Sequence, residues 1–200
     1  MKSYPSIPHT ILADRPVYIF AKLDGSNIRA EWSGGQWRLG SRRRMLNHGV
    51  LAEEVPGLME RTFTEPLQAI FRAQKWSKAT AFFEFHGPNS FAGQHDAEPH
   101  TLTLIDVAVH RKGILLPSDF LSTFGHLPHA ALLHHGPFTP ALQAQVEAGT
   151  LPGMPEEGII GKGDWYVSPG RPLMFKHKSR AWLARLREKC LSKEEFERLR

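Results

Sequence analysis

Short apolar runs separated by polar or glycine-rich breaks dominate the chain, and most of them are too short for helices. Residues 17–21 form one such run. It delivers Lys22, and Asp24-Gly25 then turn the chain into a second β-rich run at 28–32. Ahead of it, residues 1–16 read as an irregular lead-in, with Pro5, Pro8 and Pro16. Gly34-Gly35 lead into a third strand at 36–39, so the pattern predicts a meander with Lys22 at the rim of its first two strands. Residues 45–60 are mixed and predict loop with a short helix. At 65–76, Leu67, Ile70, Phe71 and Trp76 recur near helical spacing, which predicts a helix laid on the sheet. The run at 79–85 reads as a central strand ending in Glu84-Phe85-His86-Gly87, and residues 88–100 as a loop. Residues 101–110 are the most β-like in the chain, although Asp106 interrupts them. Short helices punctuated by prolines are predicted over 117–150, Pro140–Ala148 among them. Residues 155–162 form an acidic corner running into a strand that 165–167 extend or pair with. Residues 173–178 form a short strand with Lys176 and Lys178 on one face. A basic amphipathic helix at 181–190 turns Trp182, Leu183 and Leu186 inward, and Ser192 with Glu195 resembles a capping box for a last short helix.

Antiparallel strands with interspersed helices define an α+β class. With 200 residues, the chain has room for one generous domain or one domain plus a small appendage. No apolar run is long enough for a transmembrane helix, and the N-terminus lacks an apolar signal core. The single cysteine, Cys190, excludes an intramolecular disulfide, argues against a cysteine-based zinc site and fits a reducing cytoplasm. His134-His135 are adjacent and point different ways on a helix or strand, so surface histidines fit them better than a metal pair. The net charge of +5 is concentrated in Arg42-Arg43-Arg44 and in a cluster from Lys176 to Lys189. Such patches suit polyanions, phosphate or nucleic acid, as readily as they suit a merely basic surface.

Taken singly, the candidate residues are bland. Lys22 reads as an edge charge, Glu84 as a structural carboxylate, and Lys176 with Lys178 as a device against edge-to-edge pairing. Their order along the chain changes this. Lys22-Leu23-Asp24-Gly25 is Lys-x-Asp-Gly. Glu84-Phe85-His86-Gly87 and Leu104-Ile105-Asp106-Val107 follow, then Glu157-Gly158 with Lys162, then Lys176-His177-Lys178. This ordered set resembles the covalent nucleotidyltransferases: DNA ligases, RNA ligases and mRNA capping enzymes. The resemblance runs over residues 17–180. Where DNA ligases commonly carry an arginine five residues after the lysine, this chain has Asn27, and Ser41-Arg42 follows the next strand. Both features resemble the nick-sealing and editing type of ATP-dependent RNA ligase.

The resemblance implies a nucleotidyltransferase (ATP-grasp-like) core of antiparallel sheets with flanking helices and a nucleotide cleft between the sheets. It implies an adenylyltransferase domain over 1–180 and a short C-terminal helical extension over 181–200, where relatives usually carry an OB or helical domain. Lys22 is then the nucleophile. Asp24, Gly25, Glu84, Ile159, Lys176 and Lys178 contact the nucleotide, with Glu84 on the ribose. Glu157 holds Mg²⁺ or Mn²⁺, and Asn27 and Arg42 meet the polynucleotide end. Residues 101–107 lack the aromatic that relatives often stack on adenine, which leaves His86, Phe85 or an apolar sandwich with Ile159 for that task. A lysine must lose its proton to attack the α-phosphate of ATP, and cations such as Lys176, Lys178 and a metal are expected to depress its pKa. AMP then passes to an RNA 5′-phosphate, in RNA or in a DNA-containing nick, and a 3′-hydroxyl displaces it. The short tail implies a minimal sealing enzyme, a protein partner that replaces the missing domain, or an enzyme that stops at AMP transfer. The alternatives are a DNA ligase, a GTP-using capping enzyme, and a catalytically silent nucleic-acid-binding relative.

Overall fold

The computed structural model describes residues 3–9, 13–42, 44–88 and 98–200. Arg43 of the arginine triplet and most of the predicted 88–100 loop lie outside the described residues. The fold is α+β, and the described residues form two antiparallel sheets and six helices. The first sheet contains β1 (Ala13–Lys22), β7 (Leu132–Phe138), β8 (Gly158–Ser168) and β9 (Arg171–Lys178), in the order β7-β1-β8-β9. The second contains β2 (Gly25–Ser33), β3 (Gln36–Ser41), β4 (Lys78–His86), β5 (Thr101–Val109) and β6 (Gly113–Ile114), in the order β3-β2-β4-β5-β6. The helices are α1 (Val50–Thr62), α2 (Thr64–Ala73), α3 (Pro117–Phe124), α4 (Pro140–Ala148), α5 (Arg180–Lys189) and α6 (Lys193–Leu199).

The predicted meander is corrected at its first step. β2 and β3 form a hairpin, with Gly34 and Gly35 at φ +58° and +90° supplying the left-handed turn. β1, however, belongs to the other sheet, where β7 and β8 occupy both of its edges. Leu23 and Asp24 carry the chain across, and Gly25 enters β2 opposite His86 of β4. The crossing is tight. A Cβ on Gly25 would lie 2.2 Å from the Phe85 carbonyl oxygen, so only glycine allows this backbone approach.

Two further predictions change. In place of loop with a short helix at 45–60, the 13-residue α1 begins at Val50 and runs on to Thr62, despite Pro56 inside it, with Val55 and Met59 buried against the second sheet. The predicted helical stretch at 117–150 is interrupted by β7, which carries His134 and His135; the His135 ring stacks on Tyr18 of β1 at 4.0 Å. Residues 165–167 extend β8 rather than form a separate strand.

Among the described residues, three apolar clusters pack the two sheets and a fourth joins α5 to α6 around Trp182 and Leu186. The largest packs the second sheet against α1, α2 and α3, around Phe63, Phe71, Phe83 and Phe124. Another packs the first sheet on α4, around Ile19, Phe138 and Phe175. The third lies between the sheets and joins Tyr4, Phe82, Ile114 and Met174. Asp106, anomalous in the sequence, is 1% exposed and pairs with Lys162 of β8 at 2.8 Å, so the strand carries its carboxylate to meet a cation from the opposite sheet. No helix among the described residues is long and apolar enough to cross a membrane.

Candidate active site in the cleft between the sheets

Register assembles the charged end of the cleft. On β8, Gly158 pairs with Lys22 of β1 on one side and Lys178 of β9 on the other. Gly158 has φ +141°, and a Cβ there would lie 2.1 Å from the His177 carbonyl oxygen. This glycine lets the three strands close up with Glu157 at their shared end. Glu157 Oε1 accepts from Lys22 Nζ at 2.7 Å and from Lys178 Nζ at 3.0 Å. Lys176 and Lys178 share a face, as the alternation predicts, while His177 lies on the other side against Glu147 and Phe138. The opposite wall comes from the second sheet, where Asn27 of β2 pairs with Glu84 of β4.

The resulting cleft has a volume of about 430 Å³. Lys22, Asp24, Gly25, Asn27, Arg42, Glu84, Glu157, Lys176 and Lys178 all line it. Ile159 does not: it is fully buried in the core of the first sheet, and the next residue, Ile160, faces the cleft. The period of the strand explains this, since successive side chains point to opposite faces. A shallower groove of about 370 Å³ adjoins the cleft and shares Asn27 and Arg42 with it. Ser26, Ser41, Arg44 and Leu51 complete that groove.

The electrostatics reverse one expectation. Burial opposes a charge on Lys22, but Glu157, Glu84 and Asp24 together outweigh it, and the amine's pKa is raised rather than depressed. The depressed amines are its neighbours. Burial first, then repulsion from Lys22 and Lys176, pulls Lys178 down to about 8 against the attraction of Glu157. Lys176 is lowered by burial and then by Lys22, with Arg42 and Arg200 adding to the effect. On the carboxylate side, burial pushes Glu84 up to about 8; Glu157 and Asp24 add to the rise, while Lys22 and the Gly25 N–H oppose it. The cleft therefore crowds carboxylates that a further cation would relieve.

Several contributors carried no clear signal in the sequence. Trp182 of α5 donates from Nε1 to Asp24 at 3.3 Å, and its ring lies 3.8 Å from Lys178 Nζ. At the end of α6, the Leu199 carbonyl accepts from Lys178 at 2.9 Å and the Arg200 carbonyl from Lys176 at 2.6 Å. Arg29, buried behind the groove, donates to the carbonyls of Ser41 at 2.6 Å and Arg42 at 2.9 Å, which sets the Arg42 backbone. Lys162 also donates to the Ile105 carbonyl at 2.8 Å. Tyr4 donates its hydroxyl to Asp106. Burial and the Asp106 charge hold that hydroxyl well above the usual phenol range, so it stays a donor. Asp106 inside a β-run, where a buried carboxylate needs a partner, and Lys162 in the ordered motif set were the hints to this network.

No protein-family model and no curated protein matches this sequence. Solved structures do share its fold. Naegleria gruberi RNA ligase, solved with PPi, is similar at TM-score 0.65 and 14% identity over 94% of this chain. A variant of the same protein, solved with ATP and Mn, is similar at TM-score 0.64 and 14% identity over 92%. An archaeal ATP-dependent RNA ligase is similar at TM-score 0.69 and 17% identity over 92%. The chain thus shares the fold of these RNA ligases. The chain spans 60% of the length of the Naegleria chains and 50% of the archaeal one.

Proposed function

We propose that the protein is an ATP-dependent RNA ligase that works through a covalent lysyl-AMP on Lys22. The observation that carries this reading is the placement of Lys22 Nζ at the charged end of an inter-sheet cleft, on the same Glu157 oxygen as Lys178. The RNA-ligase neighbours solved with ATP, AMP, PPi and Mn support the choice of ATP and a divalent ion.

The residues suggest how the amine is activated. With Glu157 beside it, Lys22 keeps its proton. Entry of the triphosphate brings anions to Lys176 and Lys178 and favours their charged forms. With Glu157 drawn off Lys22, burial and the neighbouring ammonium groups lower the amine's pKa against the remaining pull of Glu84 and Asp24. The ammonium proton is released to solvent, the neutral Nζ attacks the α-phosphorus, and a second proton leaves to solvent to give the phosphoramidate. The P–N bond forms as the P–O bond to pyrophosphate breaks, and Lys176 and Lys178 stabilise the leaving charge. Glu157, with Glu84 nearby, would hold a divalent ion, whose chemistry is neutralisation of phosphate charge; two carboxylates suit Mg²⁺, which keeps several waters. Arg42 and Asn27 belong to both the cleft and the adjoining groove, which suits them to an RNA 5′-phosphate brought next to the adenylate. AMP passes to that phosphate, and a 3′-hydroxyl displaces it.

Incubation with α-labelled ATP and Mg²⁺ or Mn²⁺, followed by a denaturing gel, tests the first step. The expected result is label on the wild type and none on Lys22→Ala. An unlabelled wild type, or a labelled variant, overturns the reading. Competition between ATP and GTP, and between nicked RNA and nicked DNA, separates an RNA ligase from a capping enzyme or a DNA ligase.

A further inference from the structure

We propose that Trp182 is a positioning residue for the attack of Lys22: its indole joins Asp24, two residues after the nucleophile, to Lys178 at the phosphate end, and so keeps the charged end of the cleft assembled while the triphosphate enters. This inference rests on Lys22 being the nucleophile.

A local device brings Trp182 to the site. β9 ends at Lys178, and Ser179 caps α5, its hydroxyl oxygen accepting from the Trp182 amide at 3.1 Å. The cap is itself anchored. The Ser179 amide donates to the Glu157 carbonyl at 3.0 Å, and the Ser179 hydroxyl donates to the Glu156 carbonyl at 2.5 Å. The first turn of α5 is thus fixed to the residues that carry Glu157, and Trp182 is turned back over the strand end it follows. Leu186, one turn further on, packs with it, and Trp182 is 3% exposed.

One rigid ring then meets both sides of the nucleophile. Its Nε1 donates to Asp24 Oδ2 at 3.3 Å, and Asp24 lies with Leu23 in the crossover between the sheets, directly after Lys22. Its π face lies 3.8 Å from Lys178 Nζ, which shares Glu157 Oε1 with Lys22. Lys22 is therefore held from two directions, through the chain by Asp24 and through Glu157 by Lys178. The hold on Lys178 has to survive the arrival of phosphate. A carbonyl on Lys178, such as that of Leu199, occupies an N–H donor that phosphate needs. A π face attracts the charge through its quadrupole and leaves the donors to the phosphate oxygens. The ring therefore keeps Lys178 in place when Glu157 is drawn off. Trp182 acts through these two partners, which makes it a positioning residue and not a catalytic one.

Two variants separate the two contacts. Trp182→Phe keeps a π face and removes the N–H donor, whereas Trp182→Leu removes both and keeps an apolar side chain against Leu186. Single-turnover adenylation of Lys22 at saturating ATP with Mg²⁺, and calorimetric binding of inorganic tripolyphosphate without metal, are measured for each. In Trp182→Phe the adenylation rate should fall about tenfold, the scale of one hydrogen bond to a charged group, with the tripolyphosphate Kd at the wild-type value. In Trp182→Leu at least the same rate loss should come with a Kd about fivefold weaker, the scale of one cation–π contact. A tryptophan that only fills space would not split rate from binding in this way. A wild-type rate in Trp182→Phe, parallel loss of rate and tripolyphosphate affinity in Trp182→Phe, or equal tripolyphosphate affinity in the two variants overturns the inference. A wild type that binds tripolyphosphate yet forms no Lys22 adenylate overturns the proposed function instead, and the tripolyphosphate comparison between the variants still tests the hold on Lys178.

Discussion

Glu84 shows what a single buried carboxyl does in a crowded site. Its folded-state pKa is raised from 4.5 to about 8, chiefly by burial. The folded protein therefore keeps a proton that the unfolded chain gives up above the ordinary carboxyl range. The stability this group contributes is fully present below about pH 4.5 and is lost as pH rises towards 8. Glu84→Gln cannot ionise. Its unfolding midpoint in urea should match the wild type near pH 4.5, exceed it progressively up to pH 8, and then level off. A difference that does not change with pH would contradict the burial argument. Lys22 makes the complementary point: its identity and its Lys-x-Asp-Gly setting are legible in sequence, but the direction of its pKa shift is not. That direction depends on Glu157, which is 135 positions away in the chain and is brought to 2.7 Å by register alone.

At the scale of elements, α5 and α6 wall one end of the cleft. Trp182, Leu186, Phe196 and Leu199 form their own apolar cluster, and Trp182, Leu186 and Leu199 also line the cleft. The carbonyls at the end of α6 accept hydrogen bonds from Lys176 and Lys178, the two amines expected to meet phosphate. A phosphate must displace them. Phe196→Ala loosens α6 without touching either lysine, and tripolyphosphate binding should then tighten. Release from one charged hydrogen bond of about 1.5 kcal/mol corresponds to about tenfold in Kd. Unaltered Kd would mean that α6 does not compete for the lysines. The helices themselves were readable, from the Ser192 cap and the inward face at Trp182 and Leu186. What they cover was not, because hydrophobic periodicity identifies a buried face without naming its partner.

Across the whole molecule, the two sheets are tied by the Asp106–Lys162 pair, whose residues are 1% and 4% exposed. Removing one partner of such a pair typically costs about 3–5 kcal/mol, because the other charge is left buried. Lys162→Met should therefore lower the denaturant midpoint sharply. The double variant Asp106→Asn with Lys162→Met should recover much of the loss, since it removes both charges and leaves Tyr4 a partner. If the double variant is as unstable as the single, the pair acts through packing and not through charge.

By itself, the sequence determined the strand-rich α+β class, most strands and helices, and the ordered motif residues, because alternation, turn glycines and short spacings are local properties of the chain. Only the tertiary structure decided which sheet receives β1, that residues 132–138 form a strand beside it, and that Ile160 rather than Ile159 faces the cleft. Strand partners and register are non-local, and a register slip of one residue exchanges the inner face of a strand for the outer. The same cause hid the segment at 4–9, whose lead-in prolines read as irregular and whose Tyr4 and His9 meet Asp106 and Lys176 on strands far along the chain.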